Sequence, residues 1–225
     1  MAKKRSKSKV KYKFSYDAPV SLTFVLLGAL LFLLDTFLLK GKLNAQYLLS
    51  PTAGAGSLPF DFKNIFSYLR LILYVFGGSE PFIFLSNLIF IVLLGPEMEN
   101  RYGSIVIGLM IFVSTVVSGV LSACFCNFSA FGASPVVFML IILDILMHLT
   151  KKTISASAVF LICLFTASQF FTGSKNGIVG VLITLAGGLC GSLFAFMTSP
   201  KTRAAKKQQK VDVAPDDDAT IVGTL

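Results

Sequence analysis

The chain has 225 residues, of which 55% are hydrophobic and 14% charged, with 22 phenylalanines and no tryptophan. Soluble domains carry about 25% charged residues, so this composition excludes an ordinary water-soluble globule and points to a chain solvated by lipid. The formal charge of +9 would suggest nucleic acid in a soluble protein. Its placement gives another answer, and no nucleic-acid partner is expected.

Residues 1–15 form a basic, serine-containing tail suited to anionic headgroups. The apolar run at 20–39 follows, long enough to cross about 30 Å of hydrocarbon. It is not expected to be a cleaved leader, because it is too long and five more runs come after it. Residues 40–80 make a long connection, beginning with a Ser/Pro/Gly/Ala stretch at 49–59. Its second half carries Phe60, Phe62, Ile65, Phe66, Leu69, Leu73, Tyr74 and Phe76, an aromatic amphipathic pattern suited to the headgroup boundary. Further apolar runs lie at 81–94, 104–125, 135–149, 155–171 and 177–198. Those at 81–94, 135–149 and 155–171 are short, which suggests helices that begin partway through the membrane and leave a cavity above them. Short turns are expected at 95–103, 126–132, 150–153 and 172–176. After Pro200 the composition shifts to Lys, Gln and Ala, then Asp216-Asp217-Asp218, a pattern that reads as a disordered tail.

The charges orient these spans. Of 20 basic residues, 15 fall in the two tails and the turns at 95–103 and 150–153, and five (Lys40, Lys42, Lys63, Arg70, Lys175) fall on the other side. By the positive-inside rule both termini are cytoplasmic, as an even number of spans requires. Cys124, Cys126, Cys163 and Cys190 lie in or beside apolar runs and read as buried free thiols. With a single histidine, His148, they offer no metal site. Asp144 and His148, four residues apart on one helix face, read as an interfacial ion pair. Asp35 is expected to face water or the long loop.

Chemistry-bearing residues fall into short patterns. Arg70 follows Leu69 in the long loop. Asn87 lies inside the second span, four residues after Ile83. Gly95-Pro96-Glu97-Met98-Glu99-Asn100-Arg101-Tyr102-Gly103 follows that span, Gly132-Ala133-Ser134-Pro135 opens the fourth, and Thr184, Gly187, Gly188 and Gly191 lie in the sixth. His148 is 14 residues from Ser134 along one helix, roughly 21 Å away, too far to act as its base. Each pattern also has a structural reading. Ser134-Pro135 is a good helix start, the glycines permit close helix approach, Asn87 can bond across helices, and Glu99 and Arg101 can satisfy backbone groups at the turn.

Together, and in this order, the patterns resemble the rhomboid family of intramembrane serine proteases over roughly 17–200. The resemblance implies an all-α polytopic membrane protein, a six-transmembrane-helix rhomboid-like bundle. Its membrane domain would span 16–200, with 40–80 as a long outer loop and tails at 1–15 and 201–225. Gly95, Glu99 and Gly103, with Arg101, look like the family's GxxxExxxG motif, and Arg70 looks like the arginine of its Trp-Arg pair. Gly132 and Ser134 match GxSG, making Ser134 the nucleophile position, with Pro135 at the second glycine. Asn87 matches the HxxxN asparagine of the oxyanion hole, with Ile83 at its histidine. Gly187 and Gly191 match HxxGxxxG, with Thr184 at the catalytic histidine.

The substitutions concentrate on catalysis. Serine needs an adjacent base; threonine can hydrogen-bond Ser134 but cannot deprotonate it. Such a member resembles the derlins and inactive rhomboids. The implied function is a pseudoprotease that binds transmembrane segments of client proteins without cleaving them. Its expected partners are those segments and membrane lipid, with no cofactor and no metal, in the plasma membrane of a bacterium. Two alternatives stand beside it: an active intramembrane serine endopeptidase using Ser134 with a non-standard base, and a structural or assembly subunit recruiting partners through its basic tails.

Overall fold

The computed structural model describes residues 18–53, 60–77, 80–126, 132–150 and 156–197, with main chain only at 149–150, 156–158, 169–177 and 195–197. The expected tails at 1–15 and 201–225 lie outside these residues, as does most of the turn at 150–153. The described chain is all-helical. α1 (Pro19–Leu34) opens with proline in its first turn, where the missing N–H costs nothing. It widens into a π-type turn, Asp35–Leu39. Leu26, Leu30 and Leu33 are exposed on its flank, as a helix bathed in hydrocarbon requires.

The long connection is more ordered than its composition suggests. A second π-type turn, Asn44–Leu48, is held to α1 by the Asp35 carboxylate, which accepts from the backbone N–H groups of Leu43 (2.9 Å) and Asn44 (3.2 Å). Asp35 is thus buried against the loop. Ser50 and Pro51 receive the Ser122 hydroxyl, and the Ala53 N–H donates to the Cys126 carbonyl. α2 (Ile65–Leu73) is capped by the Asn64 side chain, which accepts from the Phe66 N–H. It turns Phe66, Tyr68, Leu69 and Ile72 outward while burying Ser67, the inverse of a soluble helix. Tyr74, in the following turn Tyr74–Phe76, is buried and donates its hydroxyl to the Thr115 carbonyl at 3.0 Å.

α3 (Pro81–Tyr102) and α4 (Ser104–Phe125) are both 22 residues long and are separated by Gly103 alone. The turn expected over 95–103 is therefore the last part of a long helix, and the second span is full-length rather than short. Gly103 reverses the chain at φ 93°, in the left-handed region where a side chain is strained. α5 (Ser134–Thr150) returns after Gly132, which also has positive φ (47°).

α6 (Ala156–Met197) is helical for 42 residues, and the loop expected at 172–176 is part of it. No proline interrupts this stretch. It is nonetheless not a straight rod. The Phe138 ring stacks on Phe165 at 5.8 Å between centroids, and it also lies 2.6 Å from where a Cβ on Gly188 would stand. A straight helix would hold residues 165 and 188 about 34 Å apart. The element therefore bends back somewhere between Phe165 and Gly188, bringing both of its arms against Phe138 of α5.

Three helices, Pro19–Leu39, Pro81–Tyr102 and Ser104–Phe125, are long and apolar enough to cross a membrane. Shorter apolar helices lie at Ser134–His148, Val159–Ser168 and Ile178–Phe194. The core between them is built from Phe90, Ile91, Leu94, Met98, Ile107, Met110, Val136, Val137, Leu140 and Phe165. Cys126 is buried and Cys190 half-buried, but Cys124 and Cys163 are exposed. Their helices present these faces outward, where lipid solvates a thiol as readily as a methyl group.

Candidate functional site

Ser134 and Asn87, 47 residues apart in sequence, meet in the interior. The Asn87 side-chain amide donates to Ser134 Oγ at 3.0 Å, and both residues are buried. Ser134 is not the capping residue its sequence context suggests. The Ala133 carbonyl already accepts the first helical bonds, from Val136 and Val137, so Ser134 stands inside the first turn with its hydroxyl aimed at α3. The positive φ of Gly132 turns the chain into this position. Ile83 lies one turn before Asn87 on α3, half-buried and without a donor.

Thr184 is carried by α6. The second arm of α6 runs antiparallel to α4, because a Cβ on Gly187 would meet Ser118 while one on Gly191 would meet Ser114 Cβ at 2.8 Å. On the α5 side Gly188 lies against Phe138 and Met139. Thr184 lies one turn before Gly188 on the same helix and is buried. Its hydroxyl, however, donates to the Gly180 carbonyl of its own helix at 3.1 Å. The Thr184–Ser134 bond that threonine could make is thus not formed. Among the described residues no acceptor takes the Ser134 proton. His148 sits at the far end of α5, where its ring lies 2.9 Å from the Asp144 carbonyl and 3.4 Å from the Asp144 carboxylate.

A second cluster lies at the other end of α3. Glu99 is buried, and its carboxylate accepts three bonds from the start of α1: Val20 N–H at 2.9 Å, Ser21 N–H at 2.8 Å and the Ser21 hydroxyl at 2.8 Å. Helix starts leave their first N–H groups without partners, and Ala18 has no side chain to cap them. Glu99 supplies the cap from another helix. A Cβ on Gly95 would fall 2.7 Å from Ser21 Cβ, so glycine one turn before Glu99 is what lets α1 come close enough. Gly103 then ends the helix. The spacing Gly95–Glu99–Gly103 is thus a clasp joining α1 to α3, with nothing in it that touches Ser134. Arg101 and Arg70 each bury a guanidinium Nε that finds no partner among the described residues.

The Gly95–Glu99–Gly103 clasp, the Ser134–Asn87 pair and the glycine face of α6 stand in one helical bundle. A family model for the rhomboid domain matches residues 66–203, more than half the chain. The chain belongs to the rhomboid family. Rhomboids are integral membrane proteins, as the apolar helices here require. No curated protein matches the chain. In this rhomboid, Ser21 is the site residue that sequence reasoning passed over. Its only signal was position, two residues after a proline that opens a helix, and its partner lies 78 residues away. Among the described residues no group of three or more His, Cys, Asp and Glu side chains gathers to hold a metal ion.

Proposed function

We propose that this rhomboid is a pseudoprotease, which binds transmembrane segments of client proteins without cleaving them. The observation that carries this reading is the state of the Ser134 hydroxyl, held by a donor, Asn87, and faced by no base among the described residues. A serine attacks only if its proton leaves to a neighbouring base as the new bond forms. Thr184 has no basic site, and its own proton is committed to Gly180. Ile83 subtracts a donor from an oxyanion hole, where one donor is worth about 10²–10³ in rate. What remains is a buried polar pair, able to bond the backbone of a helix that unwinds against it.

In this reading six spans cross the bilayer. The two arms of α6, folded back on one another, support the fifth and sixth, and the 15-to-5 division of basic residues supports cytoplasmic termini. A bacterial plasma membrane fits that orientation.

The test is a fluorophosphonate probe applied to the purified protein in detergent, beside Ser134→Ala and Thr184→His. An unlabelled native chain with labelling gained in Thr184→His is the expected result. Labelling of the native chain that disappears in Ser134→Ala overturns the reading. It would favour the second one, an active endopeptidase with a non-standard base, for which the intact Ser134–Asn87 pair is the supporting observation.

A further inference from the structure

A cavity of about 250 Å³ opens where α1 ends, lined by residues that include Phe32, Asp35, Thr36, Lys40, Asn44 and Phe84. We propose that it is a phospholipid headgroup site, in which Lys40 holds the phosphate and Asp35 faces the ammonium of an ethanolamine-type zwitterion. Its depth is fixed by the fold. Lys40 is the first residue past the Pro19–Leu39 span, and Pro81, also in the lining, opens the next one. Both boundaries fall at the headgroup layer of one leaflet, and Phe37 and Leu38 beside the mouth are largely exposed, as surfaces facing acyl chains are.

The charges suit a zwitterion. Lys40 and Asp35 line one cavity without forming an ion pair with each other. Asp35 is 7% exposed, and each of its oxygens accepts one backbone N–H, leaving lone pairs for a further donor. Lys40 is exposed. Its backbone adds an independent sign. Lys40 closes the helix at φ 50° in the left-handed conformation, where glycine is the usual residue, although glycine is the very next residue. A lysine kept in that strained place puts a flexible cation at the cavity mouth. Below it, the rings of Phe32 and Phe84 stack at 5.3 Å and offer an apolar floor to the glycerol and first methylenes.

The experiment is native mass spectrometry of the delipidated full-length protein in detergent. Equimolar dioleoyl phosphatidylethanolamine and phosphatidylglycerol are added, and the native chain is compared with Lys40→Gln, Asp35→Asn and Lys63→Gln. One retained phosphatidylethanolamine should dominate the native spectrum. Lys40→Gln should lower its retention by about tenfold, the scale of one charge-assisted contact. Asp35→Asn should still retain lipid but lose the preference between the two headgroups, and Lys63→Gln should match the native chain. If Asp35→Asn unfolds in a thermal scan, Thr36→Leu, which fills the cavity, should lower retention instead. The proposal is overturned if Lys40→Gln retains lipid like the native chain, or if Lys63→Gln weakens it equally through diffuse charge. It also fails if millimolar inorganic phosphate displaces the lipid, since the site would then take a soluble anion.

Discussion

Glu99 carries three hydrogen bonds on one carboxylate, and none of its work is local to its own helix. Replacing it by glutamine keeps the shape but gives up the charge that strengthens bonds to backbone N–H groups. Glu99→Gln should cost about 1–3 kcal/mol, read as a lowered midpoint of thermal unfolding in detergent. Ser21→Ala removes only one of the three bonds and should cost less, about 1 kcal/mol on the same measurement. Ser134 presents the opposite case. Its hydroxyl accepts a bond that helps hold α5 to α3, so Ser134→Ala should destabilise the fold slightly by leaving the Asn87 amide short of an acceptor. Buried phenol and thiol groups follow the same logic. Burial pushes the Tyr74 hydroxyl well above its ordinary range, opposed only in part by Ser118. It also raises the Cys126 thiol, opposed by Ser122. In detergent at pH 7.5, the buried Cys126 should resist maleimide and react only once the protein is unfolded in SDS, as counted by mass shift.

At the level of elements, the glycine face of α6 sets how close the helices come. A side chain on Gly191 would meet Ser114 Cβ and Met139 Sδ, each at 2.8 Å. Gly191→Leu should therefore overpack the α4–α5–α6 junction and cost about 1–3 kcal/mol or more, while leucine at exposed Val179 should be nearly neutral in the same thermal scan. Much of this architecture was legible in the sequence, because lipid imposes long apolar runs and small residues at contacts, and both are local signals. The positions of Gly187 and Gly191 could be read in that way, whereas Gly95 stood out only as part of a motif. What could not be read was which partner a polar side chain would choose. The Thr184 hydroxyl turned to its own backbone at Gly180, since the second lone pair of the carbonyl four residues back is always within reach of a helical threonine. The extension of α3 through Pro96 was also hidden. A proline and a glycine suggest a turn, and only the docking of α1 against Gly95 makes continued helix the better arrangement. The boundary loop was legible as aromatic and amphipathic, but not its anchorage on Asp35 and Ser122, which depends on contacts between distant residues.

The whole molecule rests on α6 folding back, since both arms must reach Phe138. With the native cysteines removed, Phe138→Cys paired with Phe165→Cys should crosslink through a short bifunctional maleimide, and so should Phe138→Cys paired with Gly188→Cys. A straight α6 would permit one of these links and forbid the other. The reach of the Glu99 clasp also has a bearing on how the protein is made. Val20 leaves the ribosome 79 residues ahead of Glu99. At about 5–20 residues per second, the first span waits roughly 4–16 s with its leading N–H groups unanswered. During that interval they can be satisfied only by water and lipid headgroups at the membrane surface, so the N-terminus of α1 is held at that surface until the end of α3 arrives to claim it.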